Sequence, residues 1–283
     1  MSLLIKNGKI YQNGTLTSKN IFVKDSKITK VTSQELKSNE VIDAKNKIII
    51  PGLIDGHVHF REPGMIHKED FLTGSMAAAA GGITTILDMP NTNPPTTNMQ
   101  RLEEKRKLAK KSIVNYGFHF GSTNDNIAEI EKVTNVASVK VYMDYTTGDL
   151  KLDDYNALKK IFSSNKTITV HGENENILKA LELIRHGRSH VHFCHVSSKE
   201  ELHYAKGKKI KNPVSVEVCP HHLFLTAKDL NELGNFGEMK PGLKTKDDQK
   251  ALWEGIHNGK VDTIATDHAP HTKEEKMQMN YPF

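Results

Sequence analysis

TITVHGENENILKALELIRHGRSHVHFCHV, residues 167–196, is the stretch on which the fold turns. It opens with a short β-branched run, TITVHG (167–172), and closes with another, HVHFCHV (190–196). Between them, ENILKALELIRHG places its apolar residues at helical spacing. Strand, helix, strand is a parallel βαβ unit. Each strand runs out into a histidine, His171 in the first and His195 in the second.

The same alternation extends in both directions. Other short apolar runs are IIIPGLIDGHVHF (48–60), ITTILDMP (83–90), NYGFHFG (115–121), SVKVYM (138–143), VSVEVCP (214–220) and DTIATD (262–267), which brings the total to eight. Helix-like stretches such as FLTGSMAAAAGG, MQRLEEKRKLAKK, NALKKIFSS, KEELHYAKGKK and DDQKALWEGIHNG lie between them. Eight strand–helix repeats predict a (β/α)₈ barrel of the TIM type, in the α/β class, over residues 48–283. Seven of the eight runs end in or near His, Asp, Asn, Lys or Glu. The C-terminal rim of such a barrel is where its chemistry is placed. Residues 1–47 read differently, as short strands around Asn7-Gly8, Asn13-Gly14 and Asp25-Ser26. Asn-Gly between alternating apolar residues signals hairpins, so a small β-sheet module is expected before the barrel.

Composition narrows the function classes. The chain has 283 residues, 37% hydrophobic and 26% charged, which is ordinary for a globular protein with a sizeable core. A net charge of +5, from 39 basic and 34 acidic residues, is mild and scattered, so no nucleic-acid partner is expected. Two cysteines make no disulfide framework and suit a reducing cytoplasm. The start lacks a signal core and no run is long enough for a membrane span, so no membrane association is expected. A phosphate loop, a nucleophile elbow and a dinucleotide-binding glycine fingerprint are all missing from the sequence.

The strand ends carry the chemistry. His57 and His59 form H-x-H, and on a strand residues i and i+2 share a face, so both imidazoles can reach one metal ion. Val139 and Val141 should face the helices, which points Lys140 into the barrel. Lys140 is then either carbamylated by CO₂, giving a carboxylate able to bridge two metals, or a lysine snorkelling from the strand end. His171 and His195 on consecutive strands fit a second metal site, and neutral imidazole suits Zn²⁺. Asp267, in TDHAPH, can ligate a metal and move a proton from metal-acidified water. Cys194 should face away from His195 on a regular strand and serve as a small buried residue. His67, His119, His186, His190, His192, His203 and His257 are assigned no role. His221, His222 and His268 are expected to be structural before anything else.

At these residues the chain resembles the dihydroorotases of the amidohydrolase superfamily. The likeness is carried by PGLIDGHVHFREPG (51–64), DMPNT (88–92), VKVYM (139–143), HFCHVSSKEE (192–201), EVCPHHLFL (217–225) and ATDHAPHTKEEK (265–276), and runs over the whole chain. Hydantoinases usually lack the arginine after H-x-H-F, and allantoinases differ around MPN. The resemblance implies two zinc ions per subunit. His57, His59 and Asp267 would hold one and His171 and His195 the other, with carbamylated Lys140 and a hydroxide bridging them. It implies that Arg61, Asn91 and His271 bind substrate, and that Thr146 and Gly148 belong to a loop closing over it. Glu217 and Lys240 lie near pocket positions. The implied reaction is the interconversion of (S)-dihydroorotate and N-carbamoyl-L-aspartate in pyrimidine biosynthesis. A homodimer and an association with aspartate transcarbamoylase are implied partners. The alternatives are another cyclic amidase, of the hydantoinase or allantoinase type, and a non-catalytic dihydroorotase-like subunit. The family continues past the eighth strand, whereas this chain stops at NYPF. A barrel truncated there, and an N-terminal module lacking its C-terminal complement, are therefore expected.

Overall fold

The computed structural model describes residues 1–278 apart from 147, 148, 186, 188, 208 and 209. The chain forms two compact units, Met1–Gly52 and Leu53–Phe283. The first holds β1 (Ser2–Lys6), β2 (Lys9–Gln12), β3 (Thr15–Ser18), β4 (Asn20–Lys24), β5 (Lys27–Thr32), β6 (Glu40–Asp43) and β7 (Ile48–Ile49). They make two sheets, ordered β5-β4-β1-β6 and β3-β2-β7. Asn13-Gly14 and Asp25-Ser26 turn two antiparallel hairpins, β2–β3 and β4–β5, with both residues of each turn at positive φ. Asn7-Gly8 does not. There the chain leaves one sheet for the other, because β1 pairs with β4 and β6 while β2 pairs with β3 and β7. The run at 48–60 also divides. Ile48 and Ile49 pair with Lys9 and Ile10 of the first unit, and the barrel strand starts at Leu53.

The second unit is the eight-stranded barrel. Its strands are β8 (Leu53–Val58), β9 (Ile83–Asp88), β10 (Asn115–Gly121), β11 (Ser138–Tyr142), β12 (Thr167–His171), β13 (His190–Phe193), β14 (Val214–Val218) and β15 (Thr263–Ile264), in sequential, all-parallel order. The helices between and after them are α1 (Phe71–Ala80), α2 (Met99–Leu108), α3 (Ile127–Lys132), α4 (Tyr155–Phe162), α5 (Glu175–Arg185), α6 (Lys199–Gly207), α7 (Pro220–Phe224), α8 (Leu230–Leu233), α9 (Lys246–His257) and α10 (Lys273–Met277). Asp70, Asn98, Asp154, Thr245 and Thr272 cap α1, α2, α4, α9 and α10 by accepting from backbone N–H groups of the first turn. The main core lies between sheet and helices. Val139, Val141, Ile168, Val170, Val191 and Val216 are fully buried there against residues such as Leu158, Phe162, Ile177 and Ile184. Among the described residues no helix is long and apolar enough to cross a membrane.

Two features of the barrel position the site. The first is the seam between β8 and β15, where no ladder forms among the described residues. Asp55 stitches it, its carboxylate accepting from Thr266 N at 3.1 Å and Thr266 Oγ1 at 2.6 Å. Just above, His59 N donates to His268 O at 2.8 Å. These bonds bring the segment after β15 against the end of β8. The second is a polar interior. Lys140, Thr169, His192 and Ser215 are successive register partners across β11 to β14. A barrel filled only for stability would carry branched apolar residues here.

Candidate active site

The C-terminal ends of β8, β11, β12, β13 and β14 and the segment after β15 converge on a cluster of buried imidazoles. His57 Nε2 lies 3.3 Å from His59 Nε2, and Asp267 Oδ1 lies 3.1 Å from both. The outer ring nitrogens set the tautomers. His57 Nδ1 donates to Glu217 Oε1 at 2.8 Å, and His59 Nδ1 to Asn91 Oδ1 at 2.6 Å. That leaves two Nε2 lone pairs and a carboxylate oxygen facing one point, an arrangement that calls for a cation. His57 shows the demand. Burial opposes its protonation, yet Asp267 and Glu217 raise its pKa well above the usual value. Both carboxylates are in turn held well below their usual range, chiefly by His57 acting against the burial penalty.

His171 and His195 form the other half. His171 Nδ1 lies 2.8 Å from His195 Nε2, while His171 Nε2 and His195 Nδ1 are buried without a partner among the described residues. Burial, then Lys140, lowers His171 to about 3. Burial, then His171, pushes His195 well below its ordinary value. Both rings are neutral and short of partners, the state in which imidazole binds a borderline metal such as zinc. Lys140 is buried nearby, and its Nζ donates to Cys194 Sγ at 2.9 Å. Among the described residues it makes no ion pair. The residues present therefore fit a metal centre.

Beside the cluster opens a cleft of about 150 Å³, lined by His59, Asp267, Arg61, Asn91, Thr146 and His271 among others. It suits a small ring rather than a polymer. Arg61 is 2% exposed; its Nε donates to Pro270 O at 3.0 Å and its Nη2 to His271 Nε2 at 3.1 Å. Burial and the Arg61 charge bring His271 down to about 4, so it is a neutral acceptor. Three residues of the site have left-handed backbone, Arg61 at φ 54°, His195 at 35° and Asp267 at 52°. Non-glycine residues rarely sit there, and such strain gathers where side chains must be aimed.

Every described residue expected at the site is thus brought to this end of the barrel. Gly148 lies outside the described residues. Cys194 departs from expectation. The left-handed turn at His195 breaks the strand alternation, so Cys194 Sγ and His195 both approach His57. Three further residues carry more than the sequence reading allowed. Glu217 Oε1 holds His57 and also accepts from His195 N at 3.0 Å. His192 backs it, with Nε2 3.2 Å from Glu217 Oε2 and Nδ1 2.8 Å from Ser215 Oγ. His221 lines the cleft, and its Nε2 is buried without a partner among the described residues. The available signal was the alternation of β14, which puts Ser215 and Glu217 on the inward face.

Comparison with known proteins agrees with this geometry. The amidohydrolase family model matches residues 48–282. A dihydroorotase of Methanosarcina acetivorans is 38% identical over 96% of this chain and 68% of its own length. The multifunctional protein CAD of Squalus acanthias is 39% identical over 84% of this chain, which is 11% of that much longer protein. Among solved structures, an L-hydantoinase from Arthrobacter aurescens superposes with a TM-score of 0.89 at 26% identity, covering 97% of this chain and 70% of that one. The hydantoinase shares the architecture, and the stronger sequence match lies with the dihydroorotases. The chain belongs to the amidohydrolase family, in its dihydroorotase branch.

Proposed function

We propose that this chain hydrolyses the cyclic amide of (S)-dihydroorotate, reversibly, to N-carbamoyl-L-aspartate, as a step of pyrimidine biosynthesis. The observation that carries the reading is the buried Arg61 in a cleft whose lining also includes His59 and Asp267. A guanidinium in that place pairs with a carboxylate in two parallel hydrogen bonds, which a lysine ammonium cannot do. Hydantoin lacks such a carboxylate.

Two zinc ions would be held here, one by His57, His59 and Asp267 and one by His171 and His195, with carbamylated Lys140 between them. When bound, they supply Lewis-acid polarisation of the scissile carbonyl and acidify water. The protein's own groups do the rest. Glu217 and Asn91 hold the His57 and His59 rings in one tautomer. Asp267 takes a proton from the attacking water as the oxygen–carbon bond forms, and returns it to the ring nitrogen as the carbon–nitrogen bond breaks. Arg61, with His271 and Asn91, fixes the substrate carboxylate and ring, which lowers the entropic cost of attack. Thr146 closes the cleft wall. The same reading carries a cytoplasmic enzyme that forms homodimers and associates with aspartate transcarbamoylase; the likeness to a multifunctional protein supports an association of that kind.

A substrate panel tests the assignment. Dihydroorotate should open in the presence of zinc, with hydantoin and allantoin left intact. Turnover of hydantoin or allantoin with none of dihydroorotate would move the chain to the neighbouring activity that its structural likeness favours. Bound zinc with no turnover of any ring would favour a non-catalytic subunit.

A further inference from the structure

Two buried anomalies sit side by side on β11. Lys140 is 1% exposed and, among the described residues, pairs with no carboxylate; its Nζ donates to a thiol. Tyr142, two residues on and so on the same face of the strand, is also buried, and among the described residues its Oη has no hydrogen-bond partner. The Lys140 Nζ lies 5.2 Å from the Tyr142 ring centre, and the Tyr142 ring lies 6.1 Å from that of His171, its register partner on β12. A phenol is protonated at neutral pH, so the hydroxyl can donate. Tyr142 is not among the residues lining the substrate cleft.

A buried hydroxyl left unpaired is destabilising, and each one in a native protein calls for an explanation. So does a buried amine without a counter-charge. One group resolves both. We propose that the Tyr142 hydroxyl is the hydrogen-bond donor that holds the carbamate on Lys140, and thereby sets how readily that lysine is modified. The inference rests on the carbamylated lysine of the proposed function. In the modification, the Lys140 ammonium first releases one proton to solvent, and the lone pair of the amine so formed attacks the carbon of CO₂. A nitrogen–carbon bond forms, one carbon–oxygen π pair moves onto oxygen, and an N–H proton leaves to solvent. Nothing is oxidised or reduced. The site exchanges an uncompensated cation for an anion with two acceptor oxygens, and Tyr142 gains the acceptor it lacks.

The test is carbon NMR with isotope-labelled bicarbonate on the zinc-loaded chain, comparing the wild type with Tyr142→Phe and using Lys140→Ala as the blank. The wild type should show a carbamate resonance absent from the blank. The Phe variant should need roughly tenfold more bicarbonate for equal occupancy, the effect of one hydrogen bond to a charged group. Thermal unfolding supplies a second readout with a change of sign. Without zinc and bicarbonate, Tyr142→Phe should melt at or above the wild type, because an unpaired donor is gone; with both, it should melt below. Equal occupancy across the bicarbonate titration would overturn the inference alone, as would an equal loss of stability in both states. A wild type with no carbamate resonance would overturn the modified lysine itself, and this inference with it.

Discussion

The two halves of the histidine cluster are built on opposite principles. On the β8 side, His57 and His59 each have one nitrogen fixed by Glu217 or Asn91 and the other turned toward Asp267. On the β11–β13 side, His171 and His195 face each other with their remaining nitrogens unpartnered among the described residues, beside a lysine that pairs with no carboxylate among them. The first half is prepared by the protein alone. On the proposed function, the second is completed by what arrives, metal and CO₂. The difference teaches where each half should fail. Substitutions of Asp267 and Arg61 should damage chemistry and aim, and substitutions on the β11–β13 side, or of Glu217 behind His57, should damage loading.

The sharpest break in this contrast is Asp267→Ala. Turnover should fall about 10³-fold or more, the range for loss of a proton-transferring group, while much of the metal stays bound. Wild-type-like activity would remove Asp267 from proton transfer. Lys140→Ala should lose both metal and turnover, with partial rescue by short carboxylic acids that replace the missing carboxylate. Full activity in that variant would exclude a carbamate there. Glu217→Gln keeps the shape but weakens the charge behind His57, and metal affinity should drop about 10- to 100-fold, as for other carboxylates that orient ligating histidines. An unchanged zinc titration would reduce Glu217 to a packing residue. Arg61→Lys gives the smallest effect, a KM raised about tenfold with metal content unchanged, since one point charge replaces a two-pronged contact. An unchanged KM would take Arg61 out of the carboxylate site.

Much of this site could be read from the sequence because it follows strand periodicity. His57 and His59 share a face by alternation, His171 and His195 mark the ends of consecutive strands, and Asp267 marks the end of the last. What could not be read lies where periodicity stops. The left-handed backbone at His195 brings Cys194 to Lys140, against the alternation that should have turned it away. Glu217 and His192 meet only through the β13–β14 register, which a linear reading does not supply. Asn7-Gly8 carries a hairpin signal but sits at a crossing between sheets, because partner choice there is decided by β4, β6 and β7 rather than by the turn. Ile48 and Ile49 look continuous with β8, yet they pair with β2.

The most direct measurement of the central claim is ring opening of dihydroorotate by the purified chain as isolated, after chelation, and after zinc is restored, with bound metal counted at each stage. The account predicts turnover that disappears on chelation and returns as about two zinc ions per chain rebind, as expected of a two-metal hydrolytic site. Turnover that survives complete removal of metal, or a chain that holds both ions and leaves dihydroorotate closed, would contradict it.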